Sequence, residues 1–399
     1  MQTVRRRDVM EKLVEQVKAE LTGHILPFWK GLLDAEHGGY YGEMGTDLQV
    51  RKHANKGTIL NSRILWFFSK TAAALQDASL TAYADHAYRF LTDVCMDSTH
   101  GGVVWEVSYD GRVMDGTKHT YNQAFAIYAL CAYYELTHRK EALEQALELM
   151  RLIESRCRDE KGYLEAFTHD FQPTSNEKLS ENGVMAYRTM NTLLHVFEAY
   201  SGLYAVTHDE LVADKLRGMI HLYLEKIYNP SRKRQEVFFD EAYRSLIDLH
   251  SYGHDIESAW LLDWGCSLLE DDALLERLRA SLQEMTRQVY REAFVQGSLL
   301  NECDRGEVNA TRVWWVQAEA MVGFLHAWQL KPEETEFRDA VIAIWQYIQQ
   351  HIIDQRPGSE WFWEADANGN PNMAKDIVEP WKCPYHNGRM CMEIIRRLS

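Results

Sequence analysis

What the chain lacks narrows it first. None of its apolar runs is long enough to cross a bilayer. The opening stretch, MQTVRRRDVMEKLVEQ, carries basic residues with no apolar segment behind them, so it does not read as a secretory signal. The arginines at 5–7 read instead as a solvated helix start. The seven cysteines form no CxxC pair, and Cys95, Cys131 and Cys266 lie in apolar surroundings. That excludes a zinc-ribbon type of metal site and points to reduced, mostly buried thiols in the cytoplasm. Positive charge is scarce: 43 Lys and Arg stand against 59 Asp and Glu, a net charge of −16. Nucleic acid and anionic membrane surfaces are poor partners for such a chain. No glycine-rich phosphate loop is present, and no metal motif.

What is there is a large core and many aromatic rings. The 399 residues are 46% hydrophobic, with 12 Trp, 20 Tyr and 14 Phe. The rings suit a packed interior, and Trp and Tyr also suit stacking on the apolar faces of sugars. Helical apolar spacing recurs in pairs. Segments 57–75 and 79–95, 120–137 and 140–157, 190–207 and 209–228, 256–269 and 272–293, and 316–330 and 333–353 form five pairs. A lone helix at about 8–30 and a last one at 387–398 supply a sixth if the chain closes on itself. The first helix of each pair is apolar on nearly all sides, as in AFAIYALCAYY, whereas the second is amphipathic and charged. A helix apolar all round belongs inside and one with a charged face outside. The expectation is an all-α fold: a single domain over 1–399, an (α/α)6 barrel with long loops and small β-hairpins at one end. A straight solenoid is the alternative, but the chain ends do not look like polar caps.

Connections within pairs are short and those between pairs are long, so the long loops gather at one end, where each enters an inner helix. The segment 100–115, with its Asp-Gly turn, reads as a hairpin. Polar residues collect at these entries. They are Asn61 and Arg63; His119, Tyr121, Asn122 and Gln123; Asn191 and His195; His254, Asp255 and Glu257; Trp314, Trp315 and Glu319; and Trp381, Tyr385, His386, Asn387 and Arg389. The steps from Arg63 to Gln123, Asn191, Glu257, Glu319 and Arg389 are 60, 68, 66, 62 and 70 residues, which predicts convergence on one pocket. Helix N-termini pointing into it favour a developing anion. Each residue also has a structural reading: His195 as a core histidine, Asp255 as a cap, Glu319 as an internal ion-pair partner, the indoles as core. His254 and His386 sit on loop-to-helix turns and continue no apolar stripe, so function is the better reading for both.

Three histidines, an arginine, two glutamates and stacking aromatics fit proton transfer on a neutral sugar. Arg63, which does not titrate, suits an enediolate oxygen. A glycoside hydrolase with two carboxylates across the scissile bond remains a rival, as does a non-catalytic sugar-binding barrel.

The segments KGTILNSRILWFF, TMNTLLHVFEAY, SYGHDIESAWLLD, WWVQAEAMVGF and EPWKCPYHNGRMCMEI closely resemble the N-acylglucosamine 2-epimerase superfamily, and within it the cellobiose 2-epimerase family. The resemblance runs from about Leu26 to Ile395. It implies cofactor-free epimerisation at C2 of the reducing-end glucose of a β-1,4-linked disaccharide such as cellobiose, lactose or mannobiose. It further implies His254 and His386 as the acid–base pair and His195 as a third pocket imidazole. Arg63 and Asn191 would contact O1 and O2, and Glu257 would orient His254. Trp314 and Trp381 would act as sugar platforms, with Tyr121 and Glu319 nearby, and the pair Trp314–Trp315 with Trp381 favours room for a second sugar. Metal and cofactor are not expected, and the chain is expected as a monomer or weak homodimer. A monosaccharide 2-epimerase or an aldose–ketose isomerase is the nearest alternative.

Overall fold

The computed structural model describes residues 2–399, with side chains from residue 9 onward, so the exposure expected of the arginines at 5–7 lies outside the described residues. In chain order the helices are α1 (Gln2–Glu20), α2 (Leu26–Gly31), α3 (Thr58–Leu75), α4 (Thr81–Phe90), α5 (Thr120–Thr137), α6 (Lys140–Arg156), α7 (Met190–Thr207), α8 (Glu210–Leu222), α9 (Tyr252–Ser267), α10 (Asp272–Ala293), α11 (Trp314–Leu330), α12 (Thr335–Tyr347) and α13 (Tyr385–Leu398). The described helices include none long and apolar enough to cross a membrane.

The odd-numbered helices from α3 to α11 are the apolar ones, and the amphipathic α13 joins them in a ring. Each packs on the next, and α13 packs back on α3. Around this closed ring each inner helix meets one charged partner: α4 on α3, α6 on α5, α8 on α7, α10 on α9, α12 on α11 and α1 on α13. Chain start and chain end therefore complete one pair. The division follows from sequence. In α5 every residue from Thr120 to Tyr133 is buried, whereas α10 buries only an i, i+4 stripe such as Leu274, Leu278, Leu282, Met285 and Val289.

Local chemistry sets the ends. Asp209 and Asp271 cap α8 and α10 by accepting from the backbone N–H of Leu211 and Leu274. Inner helices α3, α5 and α7 stop at Gln76, His138 and His208, each left-handed, which turns the chain sharply into its outer partner. Outer helices α1, α4, α8 and α12 run on into π-turns at Leu21–Ile25, Leu91–Cys95, Tyr223–Ile227 and Ile348–Ile352. Inner helices approach closely where one offers glycine. A Cβ on Gly323 of α11 would sit 2.7 Å from the Ile256 carbonyl oxygen of α9.

At the long-loop end a short strand precedes five of the inner helices and pairs antiparallel with the following loop. Lys56–Gly57 pairs with Glu106–Val107, Lys118–His119 with Ala166–Phe167 and Arg188–Thr189 with Phe238–Phe239. Leu249–Ser251 pairs with Glu302–Asp304 and Arg312–Val313 with Glu364–Ala365. A single bridge from Met44 to Val378 completes the circle between the first and last loops. The hairpin expected in 100–115 forms, Glu106–Val107 against Val113–Asp115. All seven cysteines are free, and all but Cys303 are buried.

Two boundaries move. α9 begins at Tyr252 and α13 at Tyr385, so His254 and His386 stand in the first turns of helices and not on the turns before them. Polar first-turn residues hide a helix start from any count of apolar spacing.

Candidate active site

The helix N-termini and the loops above them enclose a cavity of about 330 Å³, within the range of small-molecule sites. Its wall includes Arg63 (α3), Tyr121 (α5), Asn191 and His195 (α7), His254 and Glu257 (α9), Trp314 and Trp315 (α11), and Trp381 and His386 at the start of α13. Ten of the eleven residues expected at the site thus meet in one place. The exception is Glu319. It lies fully buried behind His386 and does not reach the cavity, because its carboxylate is taken up by His386, Arg389 and Trp260.

Of the six evenly spaced positions, Gln123 and Arg389 also miss the cavity. The Gln123 amide holds both the N–H and the carbonyl of Val103, fixing a loop. Gln317 does the same for Leu299, and Asn61 accepts from the Tyr40 N–H. These buried amides satisfy loop backbone that would otherwise be stranded.

Each pocket imidazole is held at Nδ1, leaving Nε2 open to the cavity. His386 Nδ1 meets Glu319 Oε1 at 2.8 Å, His195 Nδ1 meets Glu198 Oε2 at 2.8 Å, and His254 Nδ1 meets Ser251 Oγ at 2.7 Å. A carboxylate at Nδ1 fixes the proton there and leaves a lone pair on Nε2. Glu257 was expected to orient His254. It binds Arg389 at 2.5 Å instead, and it lies 3.8 Å from His386 Nδ1. Glu257 shares a face of α9 with His254, but the Arg389 guanidinium draws its carboxylate toward α13. His254 and His386 flank Trp315, with ring centroids 4.9 and 5.4 Å from it.

Burial sets the charges. It pushes His254 down to about 3, helped by His195, and His386 down to about 3 despite the Glu319 hydrogen bond. Burial likewise lowers His195. All three are neutral bases near pH 7. Burial raises Glu257, reinforced by Glu319; Glu319 itself is held low by Arg389 and His386 against the cost of burial. Arg63 differs from Arg389. Its guanidinium donates to Tyr121 Oη at 2.8 Å and lies over the rings of Phe125 and Tyr385 at 4.2 and 4.9 Å. Among the described residues no carboxylate comes within ion-pair distance of it. The wall therefore carries a fixed positive charge with no direct ion-pair partner among the described residues. Asn191 Oδ1, Glu257 Oε2 and Trp314 Nε1 are buried without partners. A hydroxylated guest can satisfy such groups after slight side-chain rotation.

Glu257, Glu319 and His386 lie close enough together to hold a cation. The Arg389 guanidinium is that cation, 2.5 and 2.7 Å from the two carboxylates. Asp255, whose structural reading is a cap, is taken by His250 Nε2 at 2.9 Å and by Gln235. The loops also bring in residues that spacing along the helices did not flag: Leu179 and Glu181, Asn301 and Glu302, and Trp363 and Glu364. Only their place in long loops distinguished them. Burial raises Glu181 and Glu302, and Glu302 adds to the shift of Glu181.

Neutral imidazoles, one free guanidinium and indoles around a small cavity define a site for acid–base chemistry on an uncharged, ring-shaped molecule. The chain belongs to the N-acylglucosamine 2-epimerase (GlcNAc 2-epimerase) family, whose model matches residues 39–388. It is 50% identical to a cellobiose 2-epimerase of Eubacterium cellulosolvens over 398 residues, covering 96% of this chain and 98% of that one. Among solved structures it superposes on a sugar epimerase from a ruminal bacterium with a TM-score of 0.95 at 44% identity, covering 96% and 99% of the two chains. It superposes on the cellobiose 2-epimerase of Bacillus thermoamylovorans B4167 with a TM-score of 0.94 at 42% identity, covering 97% and 100%.

Proposed function

We propose that this chain is a carbohydrate epimerase that inverts C2 of the reducing-end glucose of a β-1,4-linked disaccharide, cellobiose foremost. The closed helical ring is read as an (α/α)6 barrel and the whole chain as one catalytic domain. The observation that carries the reading is the pairing of two neutral imidazoles, His254 and His386, across one cavity with Arg63.

The chemistry runs as proton transfers. An imidazole helps open the pyranose, giving a C1 aldehyde that acidifies the C2 proton. Nε2 of one histidine takes that proton, and the C2–H electron pair becomes the C1–C2 double bond of a cis-enediolate. The negative charge left on O1 faces the Arg63 guanidinium. Return of a proton to the other face of C2, with the pair moving back, gives the mannose epimer. No cofactor is needed because the aldehyde itself is the electron sink. Reprotonation at C1 yields a ketose, so slow isomerisation is an expected side reaction. The half-buried indoles of Trp315 and Trp381 offer stacking faces for sugar units, whereas Trp314, expected as a platform, is buried with the Lys382 ammonium 4.4 Å over its ring.

The test is NMR of cellobiose with enzyme in deuterated water. A glucosyl-mannose product carrying deuterium at C2 supports the reading, and Ala at either His254 or His386 should abolish exchange with the fold intact. Release of free monosaccharide would point to a hydrolase, and binding without exchange to a sugar-binding module. Near-normal exchange in either variant would remove that histidine from the scheme.

A further inference from the structure

A second cluster of chemically capable side chains lies outside the cavity. Asp97, His100 and His169 present Oδ2, Nδ1 and Nε2 within 4.8 Å of one another. His100 Nδ1 lies 3.2 Å and His169 Nε2 2.7 Å from the same Asp97 oxygen. Asp97 Oδ1 is held by the backbone N–H of Thr99 and His100, so the carboxylate cannot swing away. His169 is 46% exposed, which leaves one side open to water.

The chain contains its own control for this site. The turn Asp97-x-x-His100-Gly101-Gly102 repeats Asp34-x-x-His37-Gly38-Gly39 one helix pair later. In both, the aspartate receives a buried lysine: Lys56 at 2.6 Å on Asp34, Lys118 at 2.8 Å on Asp97. In both, a ring from the next hairpin, one residue before an aspartate tied to a hydroxyl, packs on the histidine. For His37 that ring is Tyr109, centroids 5.1 Å apart; for His100 it is His169, at 4.8 Å. Packing alone is therefore met by tyrosine. Histidine at 169 adds a nitrogen aimed at Asp97.

We propose that Asp97, His100 and His169 form a surface site for a borderline divalent transition metal of the zinc class, with water in the fourth position. The ligand spacing brackets the edge of about 3.3 Å that a tetrahedron with Zn–N and Zn–O bonds of about 2.0–2.1 Å requires. Two imidazoles select Zn²⁺, Ni²⁺ or Cu²⁺ over Mg²⁺ or Ca²⁺, which seek oxygen. Lys118 Nζ donates to the same Asp97 Oδ2 at 2.8 Å and to the Gly101 carbonyl at 3.0 Å, so an incoming ion shares Oδ2 with it or leaves it on Gly101. On binding, each imidazole keeps its proton on the nitrogen facing away from Asp97.

The test is calorimetric titration of the full chain with Zn²⁺ alone, alongside His169→Tyr, which copies the first repeat, and His100→Gln. The expected result is one ion per chain, with affinity falling at least about tenfold in each variant while circular dichroism stays unchanged. Anomalous scattering at the zinc edge should place the ion between the three side chains. Failure of the full chain to take up Zn²⁺ would overturn the proposal, as would undiminished binding by His169→Tyr or an ion located elsewhere. Should His100→Gln not fold, His169→Tyr decides alone. Mg²⁺ competing equally with Zn²⁺ would refute the metal class.

Discussion

Removing Arg389 is the sharpest probe of how the cavity is supported. Its guanidinium bonds Glu198 and Glu257 at 2.5 Å and Glu319 at 2.7 Å, all fully buried, and rests on Tyr385 and Trp260 at 4.3 and 4.8 Å. Arg389→Met keeps volume and helix propensity but leaves three carboxylates facing one another without a cation. Breaking one partner of a buried ion pair costs about 3–5 kcal/mol. An unfolding entropy of about 2.1 cal/mol/K per residue over 399 residues gives roughly 0.8 kcal/mol per degree, so Tm should fall by about 4–6 °C at neutral pH. The pH dependence is diagnostic. Without Arg389, the native pKa values of Glu198 and Glu319 rise above their unfolded value. The native state then binds more protons than the unfolded chain, and the variant loses stability as pH rises through the new native pKa. The deficit relative to the parent should therefore be smaller at pH 5 than at pH 8. Differential scanning calorimetry across that range reads both effects. A Tm within a degree of the parent, or a deficit that grows on acidification, would refute the assigned charges.

Acid stability of the parent follows from the two pocket imidazoles. His254 and His386 are pushed to about 3 against 6.5 in the unfolded chain, so the unfolded state alone gains protons as pH drops below 6.5. At pH 5 these two groups alone disfavour the fold by about 4 kcal/mol, at about 1.4 kcal/mol per pH unit for each, while the raised Glu257 works the other way; a Tm that falls between pH 7.5 and 5 as much in His254→Gln as in the parent would contradict it. Ser251→Ala removes the 2.7 Å contact that holds His254 Nδ1 and should slow C2 exchange by up to about tenfold, the equivalent of one hydrogen bond, without changing Tm. Unaltered exchange would show that Trp315 packing alone positions the ring. Gly323→Ala forces a methyl to 2.7 Å from the Ile256 carbonyl oxygen and should cost about 1–3 kcal/mol in a denaturant titration, whereas a neutral result would mean that α9 and α11 can part easily.

The helices were legible because burial writes itself into composition. A segment such as AFAIYALCAYY can only lie inside, and DALLERLRASLQEM only half inside. Helix starts were less legible, because the first turns of α9 and α13 carry His254 and His386 in place of apolar residues. Apart from the hairpin in 100–115, the circle of two- and three-residue strands left no trace, since a strand that short has no period to read. Spacing along the chain identified the residues near the cavity but could not separate wall from support. At nearly equal intervals Glu257 reaches the wall, while Glu319 stands behind His386, Gln123 serves a loop and Arg389 neutralises the carboxylates. That separation is electrostatic. Arg63 stays free of any direct ion pair because the nearest carboxylates are engaged elsewhere. Arg389 holds Glu198, Glu257 and Glu319 one layer back. Sequence reports that two arginines recur at one helical register; only the three-dimensional partners reveal that one is neutralised and the other is left free to meet a developing oxyanion.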